Sequence, residues 1–171
     1  GKSLYITAVG AIGATNNKLT TDIFGEDKTT DGLSAVAGGN IYLNQISDNN
    51  LILRNISSSK PASSTTAGEE SSGSSEVGSE GTSSEASTKK EIYIGANKSI
   101  LMGTNGTAED YYLRADGLTL TIEARGGSIG AAVNDNSGVS HTDNDGVRIK
   151  NVDAADTASK VVLKAKDNVY V

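Results

Sequence analysis

The sequence predicts an all-β chain wound as a parallel β-helix, a solenoid of short stacked strands. Three observations carry this. Apolar residues recur at every second position in short runs, and no window of useful length keeps an i, i+3, i+4 apolar pattern. Gly, Asn and Asp punctuate the runs, as turns require. A long module occurs twice.

The first strand candidate opens the chain. Leu4, Ile6 and Ala8 alternate with Tyr5 and Thr7, one face apolar and the other polar. After a glycine corner come "KLTTDI", "GLSAVA", "NIYLNQI" and "NLILRNI". Residues 57–90 break the pattern: the segment is rich in Ser, Gly and Glu, holds the chain's single proline, Pro61, and has Val77 as its one large apolar residue. Such a stretch buries too little apolar area to offset its ordering entropy, so a disordered, solvated insertion is expected there. Strand patterning resumes with "EIYIGA", "SILMG" and "YYLRA". Leu118, Leu120, Ile122 and Ala124 then alternate with Thr119, Thr121 and Glu123, and "GVRIKNV", "KVVLKA" and "NVYV" finish the series. The expected division is 1–56 and 91–171 as β-helix coils, one repeat copy each, with 57–90 looping out of a single continuous stack.

The repeat pairs "LYITAVGAIGA" (4–14) with "LTIEARGGSIGA" (120–131). With one inserted glycine, Leu4, Ile6, Ala8, Gly10, Ile12, Gly13 and Ala14 match Leu120, Ile122, Ala124, Gly127, Ile129, Gly130 and Ala131. Further on, Ala37, Asn40, Ile41, Tyr42 and Leu43 match Ala165, Asn168, Val169, Tyr170 and Val171. Ile12 and Ile129 are expected to point inward at equivalent corners. Gly127 and Gly130 are expected to supply positive φ there. Coils of about 20 residues would give about six or seven in this length. Aliphatic stacks suit a narrow interior, and the chain has one Phe and no Trp. Tyr42, Tyr93 and Tyr170 should alternate outward, as ordinary strand residues or as a surface ladder.

Composition narrows the function classes. A formal net charge of −6 offers no basic stripe to neutralise phosphates, which argues against nucleic acid. With no cysteine there are no disulfides and no Cys-ligated zinc. No apolar run approaches the ~20 residues of a membrane helix. The chain opens in strand-like alternation without a signal-peptide pattern, so a segment of a longer protein is expected.

Candidate sites are few. Gly126-Gly127-Ser128-Ile129-Gly130 spells the G-x-S-x-G of a nucleophile elbow. That elbow leads into a helix, whereas a turn-rich loop comes next here, and the first copy has Ala11 in place of Ser128. A structural corner is the preferred reading. The single histidine, His141, lies in that loop. The loop also gathers Asp135, Asp143 and Asp145 with Asn134, Asn136 and Asn144, oxygen ligands of the kind Ca²⁺ takes. A full twelve-residue loop with its terminal Glu is missing, and a plain loop is preferred. Sequons at Asn55, Asn97 and Asn105 are expected by chance in this composition. Glu69 and Glu70 lie in the insertion, where no geometry is held for glycosidase chemistry. No catalytic, cofactor-binding or metal-binding residue is therefore expected, and the chain is read as a non-enzyme.

"LYITAVGAIGATNNKLTTDIF…GLSAVAGGNIYL" and "LTIEARGGSIGAA…VVLKAKDNVYV" resemble the repeats of filamentous haemagglutinin-type adhesins, the large exoproteins of two-partner secretion. The resemblance covers most of the chain outside 57–90. It implies a right-handed β-helical fibre segment, secreted to the bacterial cell surface, whose partners are the rest of the parent fibre and an unidentified glycan or protein on a host or neighbouring cell. Two departures stand out: the Ser/Glu-rich insertion is foreign to the repeat, and no amino-terminal secretion domain is present. Related fibres also carry contact-dependent toxins, so a toxin stalk stays open. A carbohydrate-active β-helix enzyme, lyase or hydrolase, is the other alternative.

Overall fold

A computed structural model describes residues 2–58, 90–103, 112–115, 117–131, 146–150 and 159–171. These hold eleven strands and no helix. In order they are β1 (Ser3–Ala8), β2 (Leu19–Thr21), β3 (Gly32–Ala37), β4 (Ile41–Gln45), β5 (Leu51–Ser58), β6 (Lys90–Ala96), β7 (Ile100–Met102), β8 (Leu113–Arg114), β9 (Leu118–Ala124), β10 (Ile149–Lys150) and β11 (Lys160–Ala165). They form two sheets. The first runs β1-β3-β5-β8-β10, with β7 also on β5; the second runs β11-β9-β6-β4-β2. Every strand pairing is parallel. Apart from the step from β7 to β8, the chain alternates between the two sheets.

Alternation explains the core. Residues at every second position of each strand face the opposite sheet, and parallel pairing stacks like on like. One column runs Ile6, Ala35, Ile56, Leu113, Ile149. Its counterpart runs Leu19, Leu43, Ile94, Ile122, Leu163. The middle members, from Leu43 to Ile122 and from Ala35 to Leu113, are almost fully buried. Each large one contributes about 1.5–3 kcal/mol relative to exposure. Leu4, Ile6, Ile149 and Leu163, on the outermost strands, are only half-buried.

Two polar side chains, Thr21 and Gln45, enter one inner column. Gln45, fully buried, stands above Ala96, Ala124 and Ala165. Its Oε1 accepts from the Thr21 hydroxyl (2.7 Å) and the Ile23 N–H (3.2 Å), and its Nε2 donates to the Ile23 carbonyl (2.8 Å). The amide is thereby satisfied, and it ties the end of β2 to β4.

Several sequence expectations change. Each sheet path is five strands deep among the described residues, fewer than a uniform coil of about 20 residues would give. Partners such as Leu33 and Leu53 keep that spacing, but Leu120 and Val161 are separated by a much longer excursion. Ser57 and Ser58 belong to β5 and Lys90 to β6, so both ends of the assigned insertion are strand. Residues 59–89 lie outside the described residues, and the strands on either side of them pair directly, β4 on β6 and β5 on β7 and β8.

The two repeat copies share one bonding scheme. In the first, the Ile12 N–H donates to the Asn40 carbonyl (2.8 Å) and the Tyr42 N–H to the Ile12 carbonyl (2.7 Å). In the second, the Ile129 N–H donates to the Asn168 carbonyl (2.9 Å) and the Tyr170 N–H to the Ile129 carbonyl (2.8 Å). Ala8 pairs with Ala37 as Ala124 pairs with Ala165. Yet β1 and β3 lie in the first sheet, and β9 and β11 in the second. One motif therefore turns two different corners. Gly13 and Gly130 both have positive φ (68° and 74°), where a β-branched residue would be strained. Gly127 is not among the positive-φ glycines, contrary to expectation. A Cβ there would stand 2.2 Å from Ser99 Oγ, so close approach, and not a left-handed backbone, requires glycine.

Candidate functional site

Ser128 is a spacer between stacked strands. Its N–H donates to Ser99 Oγ (3.1 Å), its carbonyl accepts from the Ile100 N–H (2.9 Å), and its hydroxyl accepts from the Asn168 N–H (3.3 Å). That is a corner residue's bonding. His141 and the Asp/Asn cluster at 134–145 lie outside the described residues, as do Asn105, Glu69 and Glu70. Among the described residues no group of three His, Cys, Asp or Glu is placed to hold a metal ion.

The side chains that do converge lie on the outer face of the second sheet. Parallel register puts Tyr42 beside Tyr93 and Tyr93 beside Thr121. Each tyrosine reaches a carboxylate on the next strand in the stack. The Tyr42 hydroxyl donates to Glu91 Oε2 (2.6 Å), and the Tyr93 hydroxyl donates to Glu123. Arg125 completes the set. Its guanidinium donates to Asn44 Oδ1 (2.6 Å) and Asn97 Oδ1 (3.0 Å) and lies 3.9 Å from Glu123. Gly95 makes room for it, since a Cβ there would stand 2.6 Å from an Arg125 nitrogen. On the other side, Lys18 Nζ lies 4.9 Å from the centre of the Tyr93 ring, within cation–π range.

Burial is the first cause, and the neighbouring carboxylate the second, that pushes the Tyr42 and Tyr93 hydroxyls above the usual phenol range. Both are therefore neutral donors at physiological pH. Between them and the excursion at 13–18 runs an open groove of about 260 Å³, lined by Thr15, Lys18, Tyr42, Glu91, Tyr93 and Thr121 among others. Its walls offer the hydroxyls of threonines and tyrosines, the Glu91 carboxylate and the Lys18 ammonium group, on strands that repeat at about 4.8 Å. This is hydrogen-bonding chemistry spread along a face. The Asp27 and Asp31 carboxylates form a second polar knot, held below the usual range by Thr29 and by the Asp27 N–H respectively. That knot shapes a loop: Asp31 Oδ2 accepts the N–H groups of Glu26 and Asp27 (both 3.1 Å).

The sequence singled out the tyrosines but not Glu91, Glu123, Arg125, Asn44 or Lys18, whose roles depend on which strand stacks on which. Tyr170 does not join the ladder. It comes after the Val169 corner, and the residue stacked beyond Thr121 is Val162. Tyr42 is also less outward than expected, at 7% exposure under the 13–18 excursion. Asn97 is engaged, its Nδ2 donating to the Ile46 carbonyl (2.8 Å), while Asn55 is exposed. Comparison with family models, curated proteins and solved structures finds no match.

Proposed function

We propose that this chain is a right-handed parallel β-helical segment of a secreted, filamentous haemagglutinin-type adhesin fibre on a bacterial cell surface. It attaches through its outward strand faces to a glycan or protein of a host or neighbouring cell. The single observation that supports this reading most is the outer face of the second sheet, where the Tyr–Glu pair recurs as Tyr42–Glu91 and Tyr93–Glu123 and Arg125 reaches Asn44. The alternation of the chain between two parallel sheets supports the solenoid. Such a face gives many weak contacts and no single deep anchor.

The test measures attachment to cells and to an immobilised glycan array, with far-UV circular dichroism as the folding control. Tyr93→Ala, Arg125→Ala and Lys164→Ala should each weaken attachment less than about threefold, roughly 0.6 kcal/mol, and the triple variant should abolish most of it. Loss of all attachment from one substitution would replace the distributed face with a pocket. A folded protein that adheres to nothing, or one that cleaves polygalacturonate or another acidic glycan, would sink the adhesive reading.

A further inference from the structure

The groove beneath the 13–18 excursion has the chain's own turns for both walls. The excursion bounds it on one side and β9 on the other, with β11 stacked beyond β9. Its polar groups are held in place before anything binds. The Glu91 N–H donates to Asn40 Oδ1 (2.9 Å), and the Glu91 carboxylate takes the Tyr42 hydroxyl on Oε2, which leaves Oε1 to accept. Lys18 Nζ donates to the Thr15 carbonyl (3.0 Å), one of the three bonds that an ammonium group can give. Thr119 and Thr121 stand beside Glu91 and Tyr93 in the register, and their hydroxyls make no hydrogen bond among the described residues.

We propose that this groove binds a neutral sugar unit of a glycan. A sugar carries several hydroxyls close together, each both donor and acceptor. Glu91 accepts from one, Lys18 donates to another, and the Thr119 and Thr121 hydroxyls do either. Size agrees with one unit: about 260 Å³ lies below the roughly 300 Å³ at which drug-sized pockets begin. A protein partner would want an aromatic or aliphatic anchor seated in a pocket. The groove offers no apolar floor for one among the described residues. Ile92 and Tyr42 are buried, and Lys18 stands over the Tyr93 ring. The inference rests on the adhesive reading and narrows its partner to a neutral glycan.

Charge selects the neutral sugar. Lys18 and Glu91 are the charged linings, one of each sign, so the groove has no net charge among the described residues. A uronic acid brings its carboxylate against Glu91, and an amino sugar brings its ammonium against Lys18. Four more charges stand on the same face outside the groove. Glu123 takes the Tyr93 hydroxyl and lies 3.9 Å from Arg125, and on β11 Lys160 stands beside Thr119 and Lys164 beside Glu123. An open groove with a few exposed polar partners binds one unit weakly, which agrees with attachment spread over many contacts.

The experiment follows backbone amide shifts of the ¹⁵N-labelled full chain during titration with glucose, galactose, mannose and N-acetylglucosamine, and with galacturonate and glucosamine as charged probes. At least one neutral sugar should shift the amides of Glu91, Tyr93, Thr119 and Thr121 with a dissociation constant on the order of 1–10 mM. The charged probes should bind several-fold more weakly. Glu91→Gln keeps an acceptor for the Tyr42 hydroxyl, and it should weaken the sugar on the order of tenfold, as should Thr119→Val with Thr121→Val. Asn55→Ala, exposed on the other sheet, should change nothing. No shift at these amides up to about 0.1 M of any neutral sugar would overturn the proposal. So would tighter binding of galacturonate, or binding that Glu91→Gln leaves intact. Attachment undiminished on cells stripped of glycans would point to a protein partner and overturn the groove's assignment while keeping the adhesive reading. Sugar shifts in a chain that attaches to no cell would keep the groove and sink the adhesive reading.

Discussion

The corner around Ile12 and the corner around Ile129 repeat one hydrogen-bond scheme in two settings. Among the described residues Ile12 bridges to Ile41 alone, on the outermost described turn of the stack. Ile129 bridges to Ile100 on one side and Val169 on the other. The first glycine of each corner differs as sharply. A Cβ on Gly10 would meet nothing within 4 Å, while one on Gly127 would strike the Ser99 hydroxyl and backbone. Matching residues fix the local path of the chain. What each residue is worth depends on how many neighbours are stacked over it, and that is a property of position along the stack.

The largest effect that can break or sharpen this contrast is a core truncation. Ile129 is 0% exposed and Ile12 4%. Ile129→Ala leaves a cavity walled on both sides and should cost about 4–5 kcal/mol; Ile12→Ala opens toward the end of the stack, can relax or fill with water, and should cost about 2–3 kcal/mol. Urea unfolding of the two variants measures the difference. Equal losses would mean that the outermost turn is as well covered as the middle.

Next come the glycines. Gly127→Ala drives a Cβ into the Ser99 backbone and should cost about 1–3 kcal/mol. Gly10→Ala, with open space and no positive φ, should stay within about 0.5 kcal/mol. Thermal melts of both decide it, and a Gly10→Ala variant as damaged as Gly127→Ala would show that the two corners are crowded alike.

Much of this was legible beforehand, and the part that was not has a physical reason. Period-two alternation reports which side of a strand is apolar, so Leu33, Leu43, Ile94 and Ile122 were readable as core. The repeat reports that two stretches take the same local path, and the bonds at Ile12 and Ile129 agree with it. Neither signal reports which sheet a strand joins, and the two copies join different ones. The polar face is invisible for the same reason. Tyr93 meets Glu123 thirty residues away, across excursions whose lengths vary from turn to turn. Gly127 misled because glycine relieves a clash as well as a positive φ, and sequence does not tell the two apart.

A smaller effect separates the tyrosines that the repeat equates. Tyr42 is buried and bonded to Glu91, whereas Tyr170, half-buried, comes after the second corner. Tyr42→Phe should cost about 1 kcal/mol at neutral pH, and Tyr170→Phe less. The Tyr42 phenol is raised in the fold, so its contribution is fully present below the unfolded phenol's range near pH 10 and is lost as pH rises through the folded value. Melting temperature measured into alkaline solution should therefore fall less steeply in Tyr42→Phe than in the unaltered chain. Parallel curves would remove Tyr42 from the account.

The smallest effect belongs to Ser128, and it bears on what the chain does. The first corner carries Ala11 at this position and closes with the same backbone bonds, so the hydroxyl is dispensable to the turn. What Ser128→Ala removes is one acceptor for the Asn168 N–H, at 3.3 Å and exposed, where water can replace it. The cost should be less than about 1 kcal/mol, below that of every core substitution above. Attachment should not change, because Ser128 lies off the face that carries Tyr93, Glu123 and Arg125. Denaturation and adhesion assays on one preparation check both statements. A Ser128→Ala protein that melts normally but loses a hydrolytic activity of the unaltered chain would turn this corner back into a nucleophile elbow and overturn the reading of the two corners as equivalents.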